Sequence, residues 1–420
     1  MWDTLKKIYL HKDLRNKILF VLFILLIFRI LAHIPIVDPT VLKDIFNRQV
    51  YGLLDLFSGG TMRNFSLVMM GVGPYITSSI IFQLLGMIVP SLEALQKEGE
   101  YGRQKINQYT RIATVPLALL QSYAMLAILN KEGVLIDWGI FHIITLLITI
   151  TAGTMLLMWL GELISEKGIG NGVSMIITLG IIGSIPTSIQ QTLITLDTAK
   201  IIGLVIFGVI AVLVTGLIVI INEGERQIPV TYARRIRGHK TFGGVDTHLP
   251  VKVNIGGVIP IIFALSMMIF PGVIAKFFEQ AKSPIIAHIA TFIANIFQSN
   301  NIYYGIIYFL LVFLFTFFYA SVVFKPDQVS ENLQKQGGFV PGLRPGKETS
   351  DYLNIVLYRI TFIGALFLGF IAIMPYIVQS ITNIGTIVLG GTGLLIVVSV
   401  IIETMRQVKA QLVMRTYDQY

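Results

Sequence analysis

The chain has 420 residues, of which 54% are hydrophobic and only 13% are charged, and its formal net charge is +9. Soluble domains carry about 25% charged residues, so the composition excludes an ordinary soluble protein and indicates one that crosses a membrane repeatedly. There is no Cys, which excludes disulfide bonds and thiol catalysis.

Apolar runs long enough to cross a hydrocarbon core of about 30 Å predict ten transmembrane spans. The first five spans are predicted at Ile18–Ile36, Gly71–Val89, Ile112–Leu129, Ile140–Leu163 and Val173–Ile189. The other five are predicted at Ile201–Ile221, Ile255–Pro271, Ile302–Phe324, Ile355–Pro375 and Ile381–Ile402. The shorter apolar run Pro284–Phe297 contains His288 and Asn295, so it predicts an interfacial helix rather than a span.

The basic residues are unevenly distributed among the segments that connect these spans. The N-terminal segment, alternate loops and the C-terminal tail hold 23 of the 32 Lys and Arg residues. Because cytoplasmic loops carry an excess of Lys and Arg, this asymmetry predicts that both termini are cytoplasmic. The two longest basic loops, 223–254 and 324–352, are expected to attract anionic lipids or to contact an acidic partner such as RNA or a protein motor.

The spans divide into two halves of five, residues 1–191 and 192–420. The second span of each half opens with a Gly/Pro interruption, "GVGPYI" (Gly71–Ile76) and "GGVIPII" (Gly256–Ile262). Halves with an odd number of spans have opposite orientations, so the pattern predicts an all-α fold with an inverted repeat. Non-helical backbone at membrane depth is tolerated only inside protein or beside water, so Phe57–Met70 is expected to fold into a protein-lined cavity.

The sequence contains no recognisable catalytic constellation. The His residues lack metal-ligand spacing, and "PGLRPGKET" (Pro341–Thr349) is too short for a nucleotide-binding P-loop. We therefore expect a protein that is not an enzyme and that holds neither metal nor cofactor.

A secondary transporter, which also uses inverted repeats, is the alternative function. It would need ionisable groups at mid-membrane. Arg29 is the one clear charge identified inside a span, and its expected role is structural pairing or snorkelling to the interface. A pore without charged groups would have an aliphatic constriction. Such a constriction blocks ions by dewetting and makes no fixed hydrogen bonds, so it is better suited to conducting a polymer than to binding a small solute.

Five stretches carry a resemblance to a known family. They are "FSGGTMRNFSLVMMGVGPYITSSIIFQLL" (Phe57–Leu85), "EGEYGRQKINQYTR" (Glu98–Arg111), "LMWLGELISEKGIGNGVS" (Leu157–Ser174), "THLPVKVNIGGVIPIIFA" (Thr247–Ala264) and "GGFVPGLRPGKET" (Gly337–Thr349). In this order they closely resemble SecY, the channel subunit of the bacterial protein-export translocon. The resemblance implies a protein-conducting channel with an hourglass pore between two five-helix halves.

The resemblance also implies the sites of such a channel. The pore ring corresponds to six aliphatic residues, Val72, Ile76, Val173, Ile177, Ile262 and Ile396. The plug, a short helix that closes the ring from outside, corresponds to about 55–68 and includes Phe57, Ser58, Gly59, Gly60, Arg63 and Asn64. The lateral gate opens between the second and third spans and the seventh and eighth spans, with Thr77 and Phe270 at facing positions.

The partners are implied by the resemblance in the same way. Arg234, Arg235, Arg237 and Arg344 correspond to residues that contact the motor SecA and the ribosome, which supply the energy. The implied partners further include the subunits SecE and SecG, signal sequences and unfolded precursor polypeptides, with anionic lipids around them. The implied location is the bacterial cytoplasmic membrane, in a multi-pass arrangement with both termini cytoplasmic.

Overall fold

The computed structural model of the chain describes most of its residues. The described ranges are 11–37, 61–62, 64–131, 139–194, 198–232, 235–237, 240–242, 246–278, 283–297, 301–382 and 391–417.

Helices dominate the described part of the first half. They are α1 (Lys12–Leu31), α2 (Gly73–Ile88), α3 (Pro90–Lys97), α4 (Glu100–Lys131), α5 (Ile140–Lys167) and α6 (Gly172–Ile194). A helix therefore overlaps each of the first five predicted spans, although the first helix ends at Leu31 and not at Ile36. The short α3 was not anticipated from the apolar pattern, because its sequence is polar.

A sharp bend separates α2 from α3. Their axes differ by 100°, and the residue between them, Val89, has an extended backbone (φ −97°, ψ 112°). The ring of Pro90 disfavours a helical conformation for the residue before it and is well accommodated at the start of a new helix. The proline thus ends α2 and turns the chain away from it.

A described helix also overlaps each predicted span of the second half, although residues 383–390 of the tenth span lie outside the described residues. They are α7 (Thr198–Glu223), α8 (Ile259–Phe278), α9 (Pro284–Ile296), α10 (Ile302–Val323), α11 (Pro326–Lys335), α12 (Lys347–Thr382) and α13 (Gly391–Tyr417). The predicted interfacial run forms α9. Its Ala290 and Ala294 are buried against the protein, while the larger apolar side chains of Ile285, Ile289 and Phe292 are exposed.

Several helix ends differ from the predicted span ends. α12 continues through Pro375 as far as Thr382, so Ile381 belongs to this helix and was wrongly assigned to the tenth span. α4 begins at Glu100, well before the predicted start at Ile112. Hydropathy locates the end of the apolar segment, whereas helical hydrogen bonding can continue beyond it into polar sequence.

Length and composition alone qualify only some of these helices as membrane spans. In the described part of the chain, 4 helices are long and apolar enough, namely α5, α7, α10 and α12, and the bent pair α2–α3 would make 5. Parts of α6 and α8, and all of α9, are shorter apolar helices. The chain is therefore a multi-pass membrane protein of mostly helical structure.

Strands in the two basic loops correct the expectation of an all-α fold. The strands are β1 (Glu225–Tyr232), β2 (Arg235–Arg237), β3 (Lys240–Phe242), β4 (Asp246–Lys252) and β5 (Gly338–Phe339). β1 pairs antiparallel with β4, from Glu225 opposite Lys252 to Thr231 opposite Asp246, and with β5 through Thr231 opposite Phe339. β2 and β3 form a separate antiparallel pair.

The three-stranded sheet has its own apolar core. Ile228 and Val230 of β1 are buried with Val251 of β4, Leu333 of α11 and Leu353 of α12. Burial at alternate residues is the period of a strand with one covered face, and the basic character of the loop concealed it in the sequence. Because β5 belongs to the loop 324–352, the sheet joins the two basic loops into one unit.

Candidate functional site

The same turn precedes α2 and α8, at corresponding places in the two halves. Gly71 has φ +57° and Gly257 has φ +59°, and each glycine lies two residues before the first helical residue. This left-handed conformation is accessible to Gly at little cost. The second residue of each helix is Pro, where no intrahelical donor is needed. The Gly/Pro interruptions predicted from the sequence are therefore helix starts.

The predicted ring residues lie in one hydrophobic cluster. Val72, Ile76, Ile177, Ile262 and Ile396 are between 1% and 6% exposed and belong to this cluster, and Val173 packs against it while partly buried. Other members come from α1, α5, α7, α10 and α12, so both halves contribute. The structure thus brings all six residues into a shared apolar region.

Close helix contact fixes the position of Val173. A Cβ built on Gly161 of α5 would lie 3.1 Å from Val173 Cγ2, and one built on Gly172 of α6 would overlap the carbonyl oxygen of Gly161. Only glycine allows the backbones to approach this closely. The side chain of Val173 is consequently held against α5 at the first turn of α6.

Buried polar groups in the described residues are uncharged. They are Ser, Thr and Asn side chains, and the described residues include no Asp, Glu, Lys or Arg in the buried class. A buried charge without a partner is costly and marks an ion pathway when it occurs. The described interior therefore offers no ionisable group of the kind that ion-coupled transport requires.

The C-terminal end of the predicted plug is described, and several of its side chains are buried. Phe57, Ser58, Gly59, Gly60 and Arg63 lie outside the described residues. Residues 61–62 and 64–70 form turns rather than a helix, and Met62, Phe65, Val68 and Met69 are buried. Val68 joins the cluster of the ring residues, whereas the other three pack with α4 and α5.

Hydrogen bonds attach this segment to the chain that follows α1. Asn64 Nδ2 donates to the carbonyl of Ala32 at 3.3 Å, Ile36 N donates to Phe65 O at 2.9 Å, and Leu67 N donates to Ile34 O at 3.0 Å. On the other side, a Cβ on Gly153 of α5 would overlap the carbonyl oxygen of Leu67. The segment is therefore fixed between the end of α1 and α5.

Of the two predicted gate residues, the structure describes the side chain of one. Thr77 Oγ1 donates to Gly73 O at 3.1 Å and accepts a hydrogen bond from Gln121 Nε2 of α4 at 3.5 Å. Phe270 lies in α8, but its side chain is outside the described residues. α8 packs against both α2 and α4, so the two halves do meet along the predicted gate.

Three charged groups, Arg29, Glu162 and Arg359, lie within the predicted spans, and the hydrogen bonds of the first two are described. Arg29 Nη2 donates to the carbonyl of Gly183 at 3.0 Å, in agreement with the structural pairing expected for it. Glu162 also lies inside a predicted span, which corrects the identification of Arg29 as the one clear charge there. Its Oε1 is 2.7 Å from Arg111 Nε, so the pair links α5 to α4. The sequence signal, a lone Glu in an apolar run, was present but overlooked.

Of the predicted partner contacts, Arg235 and Arg237 lie in the separate β2–β3 pair, and Arg344 lies on the turn that follows β5. Arg234 is outside the described residues, and for Arg235 and Arg237 only the backbone, in β2, is described. Arg344 is exposed on a turn whose glycines, Gly342 and Gly346, have φ of +85° and +102°.

Hydrogen bonds within the turn keep it in one shape. The Arg344 N–H donates to Glu348 Oε2 at 3.2 Å, and Thr349 Oγ1 donates to Arg344 O at 2.8 Å. The backbone of Arg344 is thereby fixed while its guanidinium group projects from the surface.

Comparison with known proteins identifies relatives over almost the whole chain. Residues 66–405 match the family model described as SecY. The chain is 40% identical over 431 residues to the Protein translocase subunit SecY of Halalkalibacterium halodurans, covering 99% of each. It is 39% identical over 432 residues to the protein of the same name from Thermotoga maritima, covering 100% of this chain and 97% of the relative.

Solved structures share the fold at lower identity. One described as "The structure of a protein conducting channel" has a TM-score of 0.64 and 17% identity, over 93% of this chain and 91% of that chain. Another, "Sec61 in the Canine ribosome-channel complex from the endoplasmic reticulum", has a TM-score of 0.59 and 15% identity over the same shares. The chain therefore shares the fold of these structures.

Proposed function

The chain belongs to the SecY family, and from this premise we propose that it conducts unfolded secretory polypeptides across the bacterial cytoplasmic membrane. It also releases transmembrane segments sideways into the lipid. The observation that carries the proposal is the apolar cluster of both halves, which buries five of the six proposed ring residues and against which Val173 packs. The ten helices at the predicted spans cross the membrane as two inverted halves, with both termini in the cytoplasm.

The ring works by excluding water rather than by binding a solute. A constriction lined by aliphatic side chains is emptied by dewetting, so ions that need hydration do not pass. The same side chains make no fixed hydrogen bonds and can move apart around a passing polypeptide. A hydrophobic ring can therefore seal the resting channel and still admit passengers of many sequences.

The lateral gate is proposed at the contact between the two halves. α8 packs against α2 and α4, and separation along this contact opens a path from the pore to the lipid. A hydrophobic segment that enters this opening can move into the bilayer, because burying apolar surface is favourable. Thr77 and Phe270 are the residues proposed to face such a segment, and the plug, residues 55–68, closes the ring from outside.

The partners act mainly at the cytoplasmic side. The sheet and the Arg344 turn form the surface proposed for SecA and the ribosome, with Arg234, Arg235 and Arg237 beside it. SecA or translation supplies the energy, and no enzymatic step is assigned to this chain. SecE and SecG complete the complex, and anionic lipids surround its basic cytoplasmic side. The alternative of a secondary transporter has no support from the buried residues, which are uncharged where described.

Photocrosslinking tests the path of the polypeptide. A precursor arrested during export is expected to crosslink to a photoreactive amino acid at position 262 or 396, because both side chains belong to the ring cluster. Position 363 in α12, where Ile363 is exposed, provides the matched control and should crosslink to lipid. Crosslinks of the precursor to position 363 but to neither ring position would reject the assigned pore.

A further inference from the structure

Three polar side chains meet where the β1–β4 hairpin joins the membrane helices. Asn222, near the end of α7, donates from Nδ2 to Ser399 Oγ of α13 at 2.7 Å. Asn254, which precedes α8, donates from Nδ2 to Asn222 Oδ1 at 2.7 Å. Asn222, Asn254 and Ser399 therefore form a continuous chain of hydrogen bonds, called here the polar clamp.

The polar clamp is enclosed by the protein. Asn254 and Ser399 are 6% and 5% exposed, and buried polar groups persist in proteins when they are hydrogen-bonded. The acceptor Asn254 Oδ1 is buried and finds no partner among the described residues. The hydrogen bonds of the polar clamp connect α7, the segment before α8 and α13, so a change at one of these segments affects the others.

The polar clamp closes the base of the hairpin. The last strand pair is Glu225 opposite Lys252, and Val253 N continues the ladder by donating to Gly224 O at 2.9 Å. The bond between Asn222 and Asn254 comes next. A displacement of the hairpin is therefore transmitted to both of these side chains.

On its membrane side the polar clamp contacts the elements that carry two ring residues. Asn254 Nδ2 also donates to Gly257 O at 3.2 Å, in the turn that sets the start of α8 and hence the position of Ile262. Ser399 follows Ile396 by three residues, which is about one helical turn of α13. Both ring residues of the second half therefore lie on segments attached to Asn222.

An ion pair strengthens the same junction. Arg406 of α13 donates from Nη2 to the carbonyl of Asn222 at 2.9 Å and lies 3.1 Å from Glu223 Oε2. The end of α7 is thus bound to α13 at two successive residues. This makes α7 the fixed support against which α8 and α13 are positioned.

We propose that Asn222, Asn254 and Ser399 are positioning residues that hold Ile262 and Ile396 in the closed ring and couple that ring to the cytoplasmic hairpin. The inference rests on the proposed function, because it assigns these residues to the channel's closure. A partner that moves the hairpin would break the hydrogen bond between Asn222 and Asn254 and so release the start of α8.

The test uses the channel complex reconstituted in planar bilayers and in vesicles. Asn222→Leu, Asn254→Leu and the milder Ser399→Ala are each expected to raise the resting ion conductance about twofold to tenfold, because each removes one or two net hydrogen bonds from the closed state. Precursor export should persist. Thr215→Val in α7 is the matched control, since its hydroxyl donates at 2.8 Å to Ala211 of the same helix.

A double variant distinguishes an effect of the polar clamp on conductance from an effect of altered packing. Because Ser399 acts through Asn222, adding Ser399→Ala to Asn222→Leu should not raise the conductance further. Resting conductance equal to that of the parent in Asn254→Leu and Ser399→Ala, or an equal rise in Thr215→Val, would overturn the proposal. A parent complex that fails to export precursor would instead reject the proposed function.

Discussion

Deletion of residues 55–68 is expected to raise the resting ion conductance of the reconstituted complex by about tenfold or more without abolishing export. The described end of this segment buries Met62, Phe65 and Val68 against helices and against the cluster of the ring residues. Without it, the ring alone separates the two sides of the membrane. Each 1.4 kcal/mol lost from the closed state shifts the equilibrium tenfold. Single-channel recording without precursor measures the effect.

A point substitution tests the same closure without shortening the chain. Gly153→Val should also raise the conductance, because a side chain at this position of α5 would overlap the Leu67 carbonyl and displace the segment. Gly208→Val in α7 is the matched control, since a Cβ there meets nothing within 4 Å. If the deletion and Gly153→Val both left the conductance at the parent value, residues 55–68 would not be the plug.

Arg344→Glu is expected to reduce SecA-driven export about tenfold or more while the complex still assembles in the membrane. The guanidinium group is exposed on a turn held by Glu348 and Thr349, so it is presented to a partner with little loss of conformational entropy. Reversal of a charge at an interface replaces an attraction by a repulsion and costs several kcal/mol. Export of a precursor into inverted vesicles, with SecA and ATP supplied, measures the loss.

The control for this variant is Lys347→Glu, three residues along the chain. Lys347 is exposed as well, and the substitution changes the net charge by the same amount. It falls in the first turn of α12, where a carboxylate interacts favourably with the helix dipole, so folding should be unaffected. Equal export by Arg344→Glu and the parent, or an equal loss in Lys347→Glu, would contradict a specific role for Arg344.

The predicted ring residues cannot be told from core residues by their burial, because the proposed pore is closed by the same kind of apolar packing. Val72, Ile76, Ile177, Ile262 and Ile396 are as buried as an ordinary core residue, and they share their cluster with residues of α1 and α10. On the proposed function, this packing would stabilise the resting pore by dispersion and by removal of apolar surface from water. A polypeptide that passes through the pore would replace some of those contacts with its own side chains.

Much of the fold could be predicted because lipid imposes a simple requirement. A span needs about 20 apolar residues and internally satisfied backbone, so part of each predicted span lies in a described helix. The breaks before α2 and α8 could also be predicted from the Gly/Pro motifs, because Gly71 and Gly257 have a positive φ that other residues rarely adopt. The predicted span boundaries were less accurate at α4 and α12, because these helices extend into polar sequence.

The pairing of β5 was missed because it is long-range, whereas the basic character of the loop concealed the β1–β4 hairpin. β1 and β5 are separated by over a hundred residues in the chain, and nothing in the two-residue β5 predicts that it will pair with Thr231. The ion pair of Arg111 with Glu162 and the polar clamp were missed for the same reason. Each joins residues on different helices, and their meeting depends on how those helices pack.

The sequence by itself determined the membrane class, the approximate place of the long apolar helices, and the family, because these follow from apolar length and from long local motifs. The assignment of six residues to a pore ring came only through the resemblance and stays a prediction, since an aliphatic residue in a pore and one in a lipid-facing stripe have the same local pattern. The tertiary structure decided which side chains share one cluster, how the two basic loops form one sheet, and how Asn222, Asn254 and Ser399 join that sheet to α8 and α13. These are contacts between distant parts of the chain, and packing alone selects them.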